Sequence, residues 1–457
     1  MKTKNNNFNI AIIGAGFSGS TLAIQLKKIA TTAIRIALIN DSSQINRGLA
    51  YSTSEQYHLL NVPAGKMSAF EDHADDFVSW LKEHENCKMG GENISEQFFP
   101  RKLYGTYLES RFTETLKDKH MPAHIESISA QAIQLCKKEN QYHITLNNAE
   151  TLIADKLILA IGNPKPINVL KNYGLEQHKN YLIDPWSFNQ IKAIPTTAPI
   201  VIIGTGLTAI DILLSLQNQK HAGKIYLLSR HSLLPKVHEP YTPLPAQILS
   251  DHFKTPKHAL AYIRHKIKSE NLNWRAVVDS LRPITQNIWL QWNHDDRVKF
   301  MRHLKSFWEV HRHRIAPQVN ATLQAMLSSG QAQVINAKLS AITQSTNNFK
   351  LSLNKKHDKA SILIDAGYII NSTGPNYLSL YDTALFQSLV QQNLITWDPL
   401  KLGFAVDNDF QLLSTSGIAS KNLFAAGPLC KALLWEITAV PDIRIQIKKL
   451  ANVLIDC

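Results

Sequence analysis

Two separated stretches of the sequence read strand, glycine turn, helix, strand, and three further apolar strands run into small-residue turns. Together they predict an α/β protein with two Rossmann-like dinucleotide-binding domains. A chain of 457 residues has room for two or three domains with cores of their own. Its hydrophobic fraction of 44% excludes disorder and fibrous repeats.

The first stretch opens with FNIAII (8–13), a β-branched apolar run that predicts a buried parallel strand. It enters GAGFSG, where Gly14, Gly16 and Gly19 form GxGxxG, with Phe17 and Ser18 between the second and third glycines. Gly14 permits the tight turn, Gly16 lets the backbone approach a pyrophosphate, and Gly19 lets the helix pack on the strand. The helix STLAIQLKKIA and the strand IRIALIN follow. The strand end that normally offers an acid to the adenosine ribose carries Asn40, with Asp41 next. Ribose binding is assigned to Asp41, with Asn40 as the alternative.

The second stretch, APIVIIGTGLTAIDILLSL (198–216), repeats the pattern as GxGxxA, with Gly204, Thr205, Gly206, Leu207 and Thr208 in the turn. The next strand, KIYLLSRH (224–231), ends in Arg230 where an NAD site would carry an acid. A cation there suits a 2′-phosphate, so NADPH is expected rather than NADH. A flavin paired with a nicotinamide is the economical use of two dinucleotide folds: NADPH donates a hydride and FAD accepts it.

Three segments share one form: ADKLILAIGNP (154–164) with Gly162, AGYIINSTGPN (366–376) and NLFAAGP (422–428). Each is a strand running into a glycine turn, placed where a chain leaves or re-enters an FAD domain. The expected organisation is therefore an FAD domain split into 1–195 and 335–457, with the NADPH domain 196–334 inserted and carrying a basic helical cap at 240–325.

Several stretches together resemble the bacterial FAD–NAD(P)-binding family of two-dinucleotide-domain flavoproteins, relatives of flavin-dependent monooxygenases. They are GLAYST (48–53), HLLNVPAGKMSAF (58–70), FPRKLYGTYL (99–108), WRAVVDSLRP (274–283), WEVHRHRIAP (308–317) and GPLCKALLWEITAVPDIRIQ (427–446). The resemblance spans nearly the whole chain and implies the split fold. One relative is an FAD-dependent urate hydroxylase, which makes urate one candidate substrate. A more distant resemblance to amino-acid N-hydroxylases rests on Asn61 and Lys66 in a loop, followed by DDFVSWL (75–81).

The 48–70 segment offers what a flavin ring needs, flat or soft apolar surfaces and a few donors, in Tyr51, His58, Asn61, Lys66 and Met67. Asn61 is the candidate for the flavin edge and Met67 for packing on the ring. His58, Asn61 and Lys66 are the candidate catalytic residues, with packing and solvation as the plain alternatives for His58 and Lys66. Arg101, after Pro100, suits an FAD or NADPH phosphate or a surface salt bridge. The resemblance implies that the last helix, with Asp442 in its first turn, starts near the flavin, where the positive helix end favours the anionic reduced ring.

Lys and Arg outnumber Asp and Glu 49 to 36, for a net charge of +13. From His252 to Ala316 we count 13 basic and 5 acidic residues, so +8 of that excess lies in one segment. Seven of the 18 histidines are there too, with Trp274, Trp289, Trp292 and Trp308. His311 and His313 would point about 200° apart on a helix, so no metal site is expected. No RNA- or DNA-binding motif is present, so nucleic acid is not the expected partner. The expectation is a cap whose tryptophans are core and whose charge draws in an anionic dinucleotide.

The four cysteines (Cys87, Cys136, Cys430, Cys457) include no CxxC pair, which excludes a dithiol redox centre and fits a reducing cytoplasm. Lys2 and Lys4 ahead of Phe8–Leu26 imitate a signal peptide, but the glycines, Lys27-Lys28 and the lack of an A-x-A site argue against export. No membrane span is expected. The expected activity is a cytoplasmic, NADPH-dependent FAD monooxygenase that hydroxylates a small metabolite with O₂ through a flavin (hydro)peroxide. The alternatives are a flavin dehydrogenase or reductase with another acceptor, and a non-catalytic or RNA-associated flavoprotein.

Overall fold

A computed structural model describes residues 6–41, 45–84, 93–344, 348–355 and 361–456. Lys2, Lys4, Cys87 and Cys457 lie outside the described residues. The chain forms two compact units: 1–56, 62–164 and 377–457 make the first, and 57–61 with 165–376 make the second.

The first unit is built on an eight-stranded sheet. Its parallel part runs in the order His124–Ser129, Arg35–Asn40, Asn7–Ile13, Thr151–Leu159, Ala419–Ala425. Ile12 pairs with Leu38 on one side and Ile158 on the other, and all three are fully buried. Covered on both faces, such strands are apolar almost throughout, which is why FNIAII and IRIALIN lack the alternation of a half-exposed strand. The helix Phe17–Ile29 packs against the last helix, Val440–Asp456.

The second unit has a five-stranded sheet in the order Ala332–Asn336, Ile225–Ser229, Ile200–Ile203, Tyr368–Asn371, Tyr181–Leu182, parallel at every pairing. A three-stranded antiparallel sheet, Lys338–Gln344, Phe349–Asn354 and Ser361–Ala366, sends Phe349, Leu351 and Leu353 into a core shared with Val201, Leu228 and Ile369.

The divisions fall at 164/165 and 376/377 rather than at 195/196 and 334/335. Strand pairing is the reason. Tyr181–Leu182 bonds to Tyr368–Asn371, which bonds to Ile200–Ile203, so residues on both sides of the sequence-based limits complete the second sheet. The helix Phe188–Lys192 packs on Leu207–Asn218 in the same unit.

The cap holds the helices Pro256–Lys268, Trp274–Ser280, Thr285–Gln291, His294–His303 and Lys305–Arg312. It ends near residue 316, not 325, because Pro317–Ser328 packs on Leu207–Asn218 and is the crossover helix into the strand Ala332–Asn336. Three cap helices start on side-chain caps: Thr255 accepts from His258 N, Asn273 from Arg275 N and Asn293 from Asp296 N. Trp289 and Trp292 are core, as expected, whereas Trp274 and Trp308 are only half-buried. The guanidinium groups of Arg275 (4.4 Å) and Arg314 (5.0 Å) both lie over the Trp274 ring.

Candidate functional site

In the first unit, Gly14 takes φ +104°, and a side chain there would collide with the Ala160 carbonyl. That left-handed geometry and close approach leave only glycine. Gly14 N–H donates to Ile39 O (2.8 Å) and Ala15 N–H to Asn40 Oδ1 (3.3 Å), which binds the turn to the end of the second strand. Gly16 then caps the helix Phe17–Ile29 without any side-chain hydrogen bond, and no acid stands in the first turn. Unlike the capped helices of the insert, this helix start leaves its N–H groups and positive dipole end for an anion. Gly19 lies against the turn so closely that a methyl group would strike Gly14 O.

The second unit repeats the glycine-to-strand bond and the uncapped helix start. Gly204 (φ +124°) donates from N–H to Leu228 O (2.8 Å), and a side chain there would meet the Ser372 carbonyl. Gly206 caps the helix Leu207–Asn218, again with no side-chain cap and no acid in the first turn. Thr205 donates its hydroxyl to Leu233 O (2.7 Å) and lies 3.1 Å from Ser229 Oγ, so in this turn backbone groups of Gly206, Leu207 and Thr208 remain to meet a phosphate. Arg230 follows the strand Ile225–Ser229 and is exposed.

Of the remaining first-unit candidates, Tyr51 lies beside the helix start. The Tyr51 ring lies 6.5 Å from Phe17 and 4.7 Å from Tyr104. Burial pushes the Tyr51 hydroxyl up to about 12, against the pull of the nearby Arg101 charge. Arg101 itself is buried at the start of the helix Arg101–Lys117, which removes the surface-salt-bridge reading. Met67 is buried beside Ser68, whose carbonyl accepts from Arg444 Nη1 (3.2 Å) on the last helix. Asp442 stands in the first turn of that helix, as expected. Lys66 is exposed at the end of a short 3-10 turn, and Gly162 takes φ +74° with open space where a Cβ would be.

Two candidate catalytic residues belong to the second unit. His58 is fully buried, with Nε2 3.2 Å from Asp211 O and 3.1 Å from Ser215 Oγ. A carbonyl only accepts, so Nε2 carries the proton. His58 is a packing histidine on the helix Leu207–Asn218, and its catalytic candidacy falls. Asn61 is half-buried, its carbonyl accepting from His238 Nε2 (3.0 Å).

Sequence reasoning missed four residues of the first unit: Gly48, Asn46, Arg444 and Gln446. Gly48 (φ +59°) places its Cα 3.3 Å from where a Gly16 side chain would begin, and Asn46 N–H donates to Ala15 O (2.7 Å). Gln446 Oε1 accepts from Gly427 N (2.8 Å), and Gly427 in turn abuts Ser18. Arg444, Gln446 and Gly48 all sit inside stretches that carry the family resemblance, so that signal marked the segments but not the roles.

Two doubly wound units, one split around the other and each opening on an uncapped helix start, are the architecture of two-dinucleotide-domain flavoproteins. Residues 11–164 match the FAD-NAD(P)-binding family model. Among solved structures the chain is similar to the ornithine N-hydroxylase of Kutzneria sp. 744 with reduced FAD, NADP⁺ and L-ornithine, at a TM-score of 0.65 and 11% identity over 98% of this chain and 99% of that one. It is similar to L-lysine 6-monooxygenase from Pseudomonas syringae at 0.67 and 12% identity, over 98% and 99%. Bacillithiol disulfide reductase from Staphylococcus aureus gives 0.55 and 14% identity, over 99% of each. No curated protein matches the chain in sequence. These likenesses establish a shared fold. No helix among the described residues is long and apolar enough to cross a membrane.

Proposed function

We propose that the protein is an NADPH-dependent FAD monooxygenase acting on a small metabolite, with FAD at the first turn and NADPH at the second. One observation carries the reading. The hydrogen-bond registers Gly14–Ile39 and Gly204–Leu228 make Asp41 and Arg230 equivalent positions, two residues beyond each acceptor, and their charges are opposite. A carboxylate there accepts from ribose hydroxyls, and a guanidinium pairs with a 2′-phosphate.

Each group has a role on this reading. Gly14, Gly16, Phe17, Ser18 and Gly19 hold a pyrophosphate against the first helix, with Asn40 bracing the turn and Asp41 taking the ribose. Tyr51, Met67 and Arg101 line the apolar and cationic surroundings, and the positive end of the last helix, with Asp442 in its first turn, faces the flavin on this reading. Held by these residues, FAD would supply the redox chemistry that uses a hydride from NADPH to divide O₂ between the substrate and water. Asn61 and Lys66 are the remaining candidate catalytic side chains.

The shared fold also serves disulfide reduction, which needs a thiolate. Burial pushes the Cys430 thiol up to about 12, the opposite of an activated cysteine. The lack of a CxxC pair supports the same choice and a cytoplasmic setting. Cys430→Ala is expected to leave NADPH oxidation unchanged.

The test begins with the purified yellow protein, bleached by NADPH without air. A panel of small metabolites, primary amines first, is then offered under ¹⁸O₂. A product carrying one ¹⁸O atom, formed as NADPH is consumed, is the expected result. Oxidation of NADPH that returns every electron as peroxide or to another acceptor, with no labelled product from any substrate, would make it a dehydrogenase or reductase.

A further inference from the structure

The half-exposed Phe307 lies beside the residues that end the second unit's nucleotide-binding strand. Its helix, Lys305–Arg312, buries Val310, while Phe307 leaves 48% of its surface open. The Phe307 ring centroid stands 6.3 Å from that of His231, the exposed residue directly after Arg230. Hydrogen bonds fix this placement. The Thr205 hydroxyl in the turn donates to Leu233 O (2.7 Å), and Lys236 N–H donates to Val310 O (3.0 Å), one helical turn from Phe307. Ile315 N–H closes the connection on Lys236 O (2.9 Å). The strap 233–236 thus ties the glycine turn to the cap helix that carries Phe307.

In a dinucleotide fold the adenosine ribose sits at the end of the second strand, so the base lies just beyond it. A base needs a flat apolar face there, and an aromatic ring supplies one at little entropic cost. We propose that Phe307, with His231 at its edge, is the stacking platform for the adenine of the dinucleotide whose 2′-phosphate pairs with Arg230. The inference rests on the NADPH reading of the second turn. It also gives the cap a purpose beyond its charge: the cap delivers an aromatic face to the open end of the nucleotide site.

The test measures binding of adenosine 2′,5′-bisphosphate to the flavin-loaded protein, alongside turnover with reduced nicotinamide mononucleotide, which lacks the adenosine half. Phe307→Ala is expected to weaken the bisphosphate roughly 5- to 100-fold, the range for loss of one base–aromatic stack. Turnover with the mononucleotide is expected to stay the same, and Phe307→Trp to restore bisphosphate binding. Unchanged binding in Phe307→Ala, in a protein where Arg230→Ala weakens it, overturns the platform and leaves the 2′-phosphate assignment standing. Full recovery by Phe307→Leu also overturns it, because leucine covers the surface without offering a ring. Wild-type protein that binds neither the bisphosphate nor NADP⁺ overturns the reading of the second turn and the platform with it.

Discussion

The two glycine turns are built on one plan and finished differently. In each, the first glycine donates to the neighbouring strand at 2.8 Å. In each, the third strand's end donates back, Ala160 to Ile13 O (2.8 Å) and Ser372 to Ile203 O (2.9 Å). The glycines after those third strands, Gly162 and Gly374, both take positive φ, at +74° and +89°. The differences begin above the turn. Gly48 closes over Gly16, whereas nothing among the described residues lies within 4 Å of a side chain added at Gly206. The equivalent strand-end residues then carry opposite charge, Asp41 and Arg230. A covered turn suits a cofactor that stays bound, and an open one suits a nucleotide that must leave after every hydride transfer. On the proposed assignment, cover and one charge, rather than the turn itself, divide the labour.

The largest effect should come from filling the two middle glycines. Gly16→Val would press its side chain on the Gly48 backbone as well as on the phosphate path, and colourless protein without retained FAD is expected. Gly206→Val meets no protein atom, so the variant should fold, stay yellow and show only a raised KM for NADPH. Flavin absorbance per chain and steady-state kinetics read both. Equal loss of flavin from the two variants would break the distinction between a covered and an open turn.

The plan was legible in the sequence because it depends on backbone needs that only certain residues meet. GxGxxG and GxGxxA between apolar strands are such needs, and so are AIGNP and STGPN at the third-strand ends. The domain limits were less legible because Tyr181–Leu182 is a two-residue strand, too short to leave a periodic signal, and yet it completes the second sheet. His58 misled for a related reason. Its place in a polar, glycine-bearing loop reads like a site, and only the fold reveals Asp211 and Ser215 as its partners. The charge of the cap was visible but its use was not. Arg314 pairs with Asp279 (2.9 Å) and Arg275 with Glu239 (2.6 Å), so part of the basic excess holds the cap together instead of facing a nucleotide.

A second break targets the charge at the open turn. Arg230→Ala removes a charge-assisted pair, and at an exposed strand end that should cost NADPH roughly 10- to 100-fold in kcat/KM. NADH, which has no 2′-phosphate, should be nearly unaffected. Selectivity is the informative quantity, since a general disturbance of the turn would lower both substrates together. Arg230→Asp should go further and invert the preference, because a carboxylate repels the 2′-phosphate and accepts from the ribose hydroxyl of NADH. Parallel losses for the two nucleotides in both variants would remove the 2′-phosphate from this position.

The smallest effect belongs to the equivalent residue of the covered turn. Asp41→Asn keeps the shape and an acceptor but exchanges a charged hydrogen bond for a neutral one, a difference of about 1 kcal/mol, or roughly fivefold in FAD affinity. Asp41 is exposed, and the many backbone contacts of the turn remain, so the holoenzyme should still purify yellow. The deficit should appear only when FAD is stripped and its rebinding titrated. The KM for NADPH should not move, because the proposed assignment gives Asp41 and Arg230 to different nucleotides. An Asp41→Asn protein with native FAD affinity would transfer the ribose to Asn40, whose Oδ1 already accepts from Ala15 N–H (3.3 Å). Asn40→Ala would then have to lose both the brace and the ribose contact, and its effect on FAD should exceed that of Asp41→Asn. If Asp41 holds the ribose, Asn40→Ala should loosen the turn without touching the ribose, and a flavin analogue lacking the adenosine half should sense Asn40→Ala but not Asp41→Asn.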